Sequence, residues 1–174
     1  MKEYWIKDNK TSFKLLKSPG MAKGIYKKSH EGLVIPCHDV FINYRGGLLL
    51  VTRDRSPARG LLWPIGGRIK RGLSLEESIR QKAREECNLK LGKLIELGCA
   101  RVYANSDPFD HGKGTDNIAF IYFAKGYGKL KLDGLHSKPM IISPIEYTRK
   151  FRDSISPYVR DFMDIAMKKL SRSR

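Results

Sequence analysis

The chain has 174 residues, enough for one domain with a real core, and its 41% hydrophobic content excludes disorder throughout. No apolar run approaches the roughly 20 residues that cross a bilayer, and the N-terminus lacks the apolar stretch and cleavage site of a secretory leader. The formal charge is +16, which admits an anionic partner (nucleotide, nucleic acid or acidic surface) but is equally met by lysine-rich, solvated ends.

These bounds predict a single domain over residues 1–174, cytoplasmic and with no membrane partner. Residues 1–32 form a basic N-terminal segment and 171–174 a short basic tail. Residues 1–28 carry eight lysines against Glu3 and Asp8, and residues 149–174 eight basic residues against Asp153, Asp161 and Asp164. Cys37, Cys87 and Cys99 have no metal-ligand spacing and are expected as small core residues in a reducing compartment.

In chain order, Lys17-Ser-Pro-Gly20 marks a turn. "LVIPCHDVFINY" (33–44) reads as a strand, and "GLLLVTRD" (47–54) as its hairpin partner across Arg45-Gly46-Gly47. "LLWPI" (61–65) is a brief buried strand that runs into the sharp turn Gly66-Gly67. Ser74 is a helix N-cap and Glu77 completes a capping box, which predicts a helix from about Leu75 to Cys87. Strands follow at 93–104 and 117–126 on either side of the polar loop "NSDPFDHGKGTD". A lesser strand or turn covers "KLKLDGLH" (129–136). "PYVRDFMDIAMKKL" (157–170) reads as an amphipathic helix, its stripe and polar fringe marked by Val159, Phe162, Ala166 and Lys169. Strands interspersed with two main helices predict a mixed sheet with helices packed against it, of α/β or α+β class.

The segment 66–89 carries the chemistry. At about 100° per residue, Leu75, Ile79 and Ala83 form an apolar stripe, and Glu86 falls on that stripe while Glu85 points about 100° away. A carboxylate on a core-facing stripe is costly unless something pairs with it. A metal ion, an arginine or backbone donors from the glycine turn would serve, and Gly66-Gly67 would let the backbone approach with a carbonyl as a hard oxygen ligand. The competing reading is a solvated, frayed helix end with Lys82 as the i−4 partner of Glu86, the weaker orientation for such a pair. The functional reading is preferred, because the same loop also offers Arg68.

The segment resembles the Nudix box: a glycine, five residues, a glutamate, seven residues, then Arg-Glu-hydrophobic-x-Glu-Glu-x-Gly-hydrophobic. Gly67, Ala83, Glu85, Glu86 and Leu89 match without a gap; Leu73, Gln81, Lys82 and Asn88 depart. Over most of the chain the resemblance is closest to the GDP-mannose mannosyl hydrolase branch, through "IPCHDVFI", "RGGLLLVTRDRSPARGLLWPIGGRIKRG" and "KGTDNIAFIYF". It implies an α/β Nudix-like mixed sheet sandwiched between helices, one Mg²⁺ (or Mn²⁺) ion and a homodimer. It also implies water attack at the anomeric carbon of a nucleotide sugar.

Carried over by residue, the resemblance implies Glu86 and the Gly66 carbonyl as metal ligands. It implies Arg53 and Arg68 on a diphosphate and Asp39 as a substrate-contacting acid. His136 falls at the general-base position and Leu135 at that of a glutamine ligand. The expected catalytic set is His136, Arg68 and Glu85, and the expected substrate set is Arg53, Arg68, Asp39 and Lys82. Lys82 either pairs with Glu86 or meets a substrate phosphate. Asp107, Asp110, His111 and Asp116 read first as turn residues, and Trp63 and Tyr103 first as core.

The function implied is Mg²⁺-dependent hydrolysis of a nucleoside-diphosphate derivative, a GDP-mannose-like nucleotide sugar, to sugar plus nucleoside diphosphate. Two alternatives stand beside it: a pyrophosphate-cleaving Nudix hydrolase of another nucleotide, and a non-catalytic nucleotide- or RNA-binding module. Nucleic acid is the less favoured partner.

Overall fold

In a computed structural model of the chain, residues 2–3 and 21–171 are described. The expected turn at Lys17–Gly20, most of the basic N-terminal segment and the last three residues lie outside them. The elements are α1 (Lys23–Gly32), β1 (Ile35–Tyr44), β2 (Gly47–Arg53), β3 (Leu62–Trp63), β4 (Ile65–Arg68), α2 (Leu75–Cys87), β5 (Lys90–Leu91), β6 (Ile95–Ala104), β7 (Thr115–Tyr127), β8 (His136–Ile142), α3 (Arg149–Ser154) and α4 (Pro157–Ser171).

The sheet is mixed and runs β3-β2-β1-β7-β5, with β4 paired to β1, β6 to β7 and β8 to β2. β1 is parallel to β7 and antiparallel to β2 and β4. The β1–β2 hairpin turns on Arg45 and Gly46, both at positive φ, the backbone that matches strand twist in a two-residue turn.

One helix covers each face, as expected. On one side Ile79, Ala83 and Cys87 of α2 pack on Val40, Ile42 and Val51. On the other, Val159, Met163 and Ala166 of α4 pack on Phe41, Leu48 and Leu50. Alternate residues of β1 and β2 therefore enter opposite cores, the period-2 consequence of a sheet buried on both sides.

α2 spans the expected residues. The Ser74 hydroxyl accepts from Glu77 N–H and the Glu77 carboxylate accepts from Ser74 N–H, so the predicted capping box is closed. In α4 the buried stripe is Val159, Met163, Ala166, Met167 and Leu170, with Phe162 at its edge and Lys169 outside it. α1, α3 and β5 were not anticipated, and residues 129–135 form a loop that leads into β8, not a strand. Cys87 is buried and Cys37 half-buried, whereas Cys99 is exposed, a correction to the expectation that all three fill core space. β6 alternates half-buried and exposed positions, and Cys99 falls on the exposed phase.

Candidate active site

Three local structures meet at Glu86. The first is α2, whose apolar stripe carries Glu86 inward until only 6% of it is exposed. The second is β4, where Gly66 N–H donates to Glu86 Oε2 at 3.2 Å. The third is the loop before β8, tied to the end of α2 by Asp133 N–H to the Glu86 carbonyl (3.0 Å) and Lys131 N–H to the Cys87 carbonyl (3.2 Å). Those two bonds use carbonyls that the helix end leaves without internal partners. They also bring Asp133 beside Glu86.

Glu86, Asp133 and His136 offer ligand atoms that all lie within 4.8 Å of one another. Asp133 Oδ1 accepts from Leu135 N–H at 2.9 Å and lies 2.9 Å from His136 Nδ1. His136 is buried and opens β8 opposite Arg53 of β2. Lys82 Nζ stands 3.3 Å from Glu86 Oε1. Burial pushes the Glu86 carboxyl above its ordinary value, and the Lys82 charge opposes that shift. The two carboxylates are hard oxygen donors of the kind that suit Mg²⁺ or Mn²⁺, and the imidazole stands beside them.

Asp39 lies across β1–β4 from Gly66. A Cβ on Gly66 would sit 2.0 Å from Asp39 Oδ1 and 2.3 Å from the His38 carbonyl, so only glycine fits. Asp39 is buried, and its Oδ2 accepts from Tyr158 O–H at 2.6 Å. Burial raises its carboxyl to about 6, against the pull of Tyr158 and Arg53. His38, fully buried, holds Ser78 Oγ at 2.7 Å through Nε2, and burial lowers its ring to about 4, so it is neutral at pH 7.

Two adjoining cavities open over this floor. One, of about 830 Å³, is walled by Tyr26, Trp63, Tyr103 and Tyr158, with Asp39 and Arg68 among its polar groups. The other, of about 660 Å³, is charged and holds Gly66, Lys82, Glu86 and His136. Arg53, Arg59 and Gly67 line both. Arg53 Nε–H donates to the Pro57 carbonyl at 2.8 Å and so folds the 54–60 loop over the cleft. The Arg68 guanidinium lies 4.0 Å above the Tyr26 ring.

Of the residues anticipated from sequence, Arg53, Asp39, Gly66, Arg68, Lys82, Glu86 and His136 all line this double cleft. Glu85 does not. It is exposed, paired with Lys70 and accepting from Gln81 Nε2 at 2.9 Å, so its expected place among the catalytic groups is corrected: it points away from the helix stripe that enters the site. Leu135 is 44% exposed at the cavity edge and supplies no ligand.

Tyr103, expected in the core, is 72% exposed. Trp63 stacks on Tyr158 at 5.0 Å between centroids and faces the cavity. Asp107 closes its own loop by accepting from Phe109, His111 and Gly112 N–H, as a turn residue does. Asp116 instead sits in β7 and binds Arg101 bidentately at 2.6 and 2.7 Å. Sequence reasoning missed Asp133, Tyr26 and Tyr158. Asp133, three residues before His136, carried the one usable signal: an acid at a spacing that lets it bond the ring.

No protein-family model matches the chain. It is 26% identical over 136 residues to the low-salt glycan biosynthesis protein Agl8 of Haloferax volcanii, covering 72% of this chain and 78% of that one. Among solved structures, the MutT NUDIX hydrolase of Burkholderia pseudomallei matches with a TM-score of 0.60 at 16% identity, over 75% of this chain and 95% of that chain. A NUDIX-family hydrolase of Clostridium perfringens matches at 0.60 and 17% identity, over 80% and 97%. The NUDIX domain of Shewanella oneidensis NrtR, complexed with ADP ribose, matches at 0.57 and 16%, over 88% and 99%. The fold of this chain, with its sheet held between α2 and α4 and a divergent box closing on Glu86, is the Nudix hydrolase fold.

Proposed function

We propose that the chain is a Mg²⁺- or Mn²⁺-dependent hydrolase of a nucleoside-diphosphate derivative, with a nucleotide sugar as substrate and anomeric C–O cleavage as the reaction. The observation that carries this reading is the double cleft, an aromatic cavity joined through Arg53 to a charged one lined by Glu86 and His136, with Asp133 grouped beside them. A nucleoside diphosphate linked to a sugar has that same division into an aromatic end, an anionic middle and a hydroxylated end. The NrtR domain, which shares the fold, binds ADP ribose, and the glycan-biosynthesis relative agrees with a sugar substrate.

In this reading Arg53 and Arg68 fork onto the diphosphate oxygens. Asp39, fixed by Tyr158, accepts from a sugar hydroxyl. Glu86 and Asp133 would hold the ion, which when bound would supply positive charge to offset that of the diphosphate leaving group. His136 donates Nδ1–H to Asp133, which leaves Nε2 to accept a proton from the attacking water. The water oxygen bonds to the anomeric carbon as the C–O bond to phosphate breaks, and the electron pair leaves with the nucleoside diphosphate. The charge at residue 82 favours this over attack on phosphorus, because an ammonium cannot act as the helix base that the Nudix box places there.

The test is turnover of a panel of nucleotide sugars, dinucleotides and nucleoside triphosphates with Mg²⁺ or Mn²⁺ in ¹⁸O-water. Label in the free sugar is expected. Label in a phosphate would assign pyrophosphate cleavage instead. Binding of nucleotides with no turnover on the whole panel would make the chain a binding module.

A further inference from the structure

We infer that Lys82 is a built-in cation: its ammonium shares Glu86 with the divalent ion, weakens that ion's hold, and supplies in its place a fixed positive charge for a substrate phosphate. The inference deepens the proposed hydrolase and rests on that reading for the ion's role. Its binding consequences need no turnover.

The position is defined by packing. Lys82 lies one helical turn before Glu86, on the same face of α2, with its Nζ 3.3 Å from Glu86 Oε1. Its aliphatic end runs beneath the glycine turn: a Cβ on Gly67 would meet Lys82 Cε at 3.6 Å and Nζ at 3.8 Å. The side chain is 22% exposed, so the ammonium is neither a free surface charge nor a sealed one. It faces the charged cavity that Arg53 and His136 also line.

The net charge at the centre follows. Glu86 and Asp133 bring two negative charges, and Lys82 cancels one. A divalent ion therefore meets one net negative charge where it would otherwise meet two. A phosphate oxygen entering the same cavity meets a cation that needs no metal to be there. The two ligands must then respond to Lys82 with opposite signs, which a purely structural lysine would not produce.

The measurement is Mn²⁺ binding by electron paramagnetic resonance, and metal-free GDP binding by calorimetry, on wild type, Lys82→Met, Lys82→Gln and Lys82→Arg. Lys82→Met is expected to bind Mn²⁺ about 10- to 100-fold more tightly and metal-free GDP about tenfold more weakly. Lys82→Gln should follow it if methionine disturbs packing, and Lys82→Arg should stay near wild type for both. A folded Lys82→Met or Lys82→Gln whose Mn²⁺ affinity is unchanged or weaker overturns the inference. So does tighter Mn²⁺ binding with no loss for GDP. Mn²⁺ binding by Lys82→Met but not by wild type would keep the inference and discard the metal-dependent hydrolase, the ammonium having displaced the ion outright. Binding by neither would discard both.

Discussion

Asp39 is a carboxylate held where its charge is disfavoured, so removing the charge should stabilise the fold. It is buried on β1 opposite Gly66 of β4, and burial raises its carboxyl from the ordinary 3.8 to about 6, with the nearby Glu86 charge adding to the effect. A shift of about two units at about 1.4 kcal/mol each makes about 3 kcal/mol. Because the native carboxyl binds its proton more tightly than the unfolded one, stability falls as pH rises from about 4 to about 6 and stays lower above that. Asp39→Asn removes the ionisation while its amide oxygen still accepts from Tyr158 O–H. The variant should gain up to about 3 kcal/mol over wild type near pH 7.5 and almost nothing near pH 4. Urea denaturation of both proteins across that range gives the difference directly. A variant no more stable at pH 7.5, or a difference independent of pH, would refute burial as the controlling cause. If Asp39 contacts substrate, turnover should fall in the same variant, a gain in stability at the expense of function.

Other positions allow similar arithmetic. Gly66→Ala forces a Cβ to within 2.0 Å of Asp39 Oδ1 and against backbone, so it should lose about 3 kcal/mol or more and shift the thermal midpoint sharply; a near-normal midpoint would mean that β4 can move. Ser74→Ala opens the capping box of α2 and should lose about 1 kcal/mol, seen as a lower denaturant midpoint with an unchanged slope. Asp133→Ala removes a carboxylate from the candidate metal set and the acceptor of the His136 ring, and should weaken Mn²⁺ binding about 10- to 100-fold. Equal Mn²⁺ affinity would remove Asp133 from that set. Ile79→Ala empties fully buried space between α2 and the sheet and should lose about 2–5 kcal/mol by chemical denaturation.

The elements legible in the sequence are those that carry their own punctuation. α2 announces its start by Ser74 with Glu77, and the structure closes it with Asn88 at positive φ after Cys87. The β1–β2 hairpin is marked by Arg45-Gly46 between two apolar runs. α1 carries no such mark. It has no side-chain cap and no acid in its first turn, and it is held by contacts remote in sequence: Tyr26 under Arg68, and His30 Nδ1 3.1 Å from His111 Nε2. Propensity and period say nothing about a helix whose stability lies in its docking.

The candidate site divides along the same line, and Glu85 and Glu86 show why. A motif treats adjacent glutamates as one feature, whereas the helical period separates them by about 100° and sends only one to the core. Glu86 follows the period into the cleft; Glu85, kept in the catalytic set on pattern alone, pairs with Lys70 outside it. Asp133 reaches Glu86 through a different mechanism. Its placement depends on a loop whose N–H groups close the end of α2, and no local periodicity encodes that docking. Residues set by a helix face could be read in advance, while those delivered by a loop to another element's unpaired carbonyls could not. Where both kinds converge on one carboxylate, the loop-borne residue decides the chemistry: without Asp133 beside it, Glu86 would be left with the Gly66 N–H, His136 and the Lys82 ammonium, and the cluster would offer an ion one carboxylate instead of two.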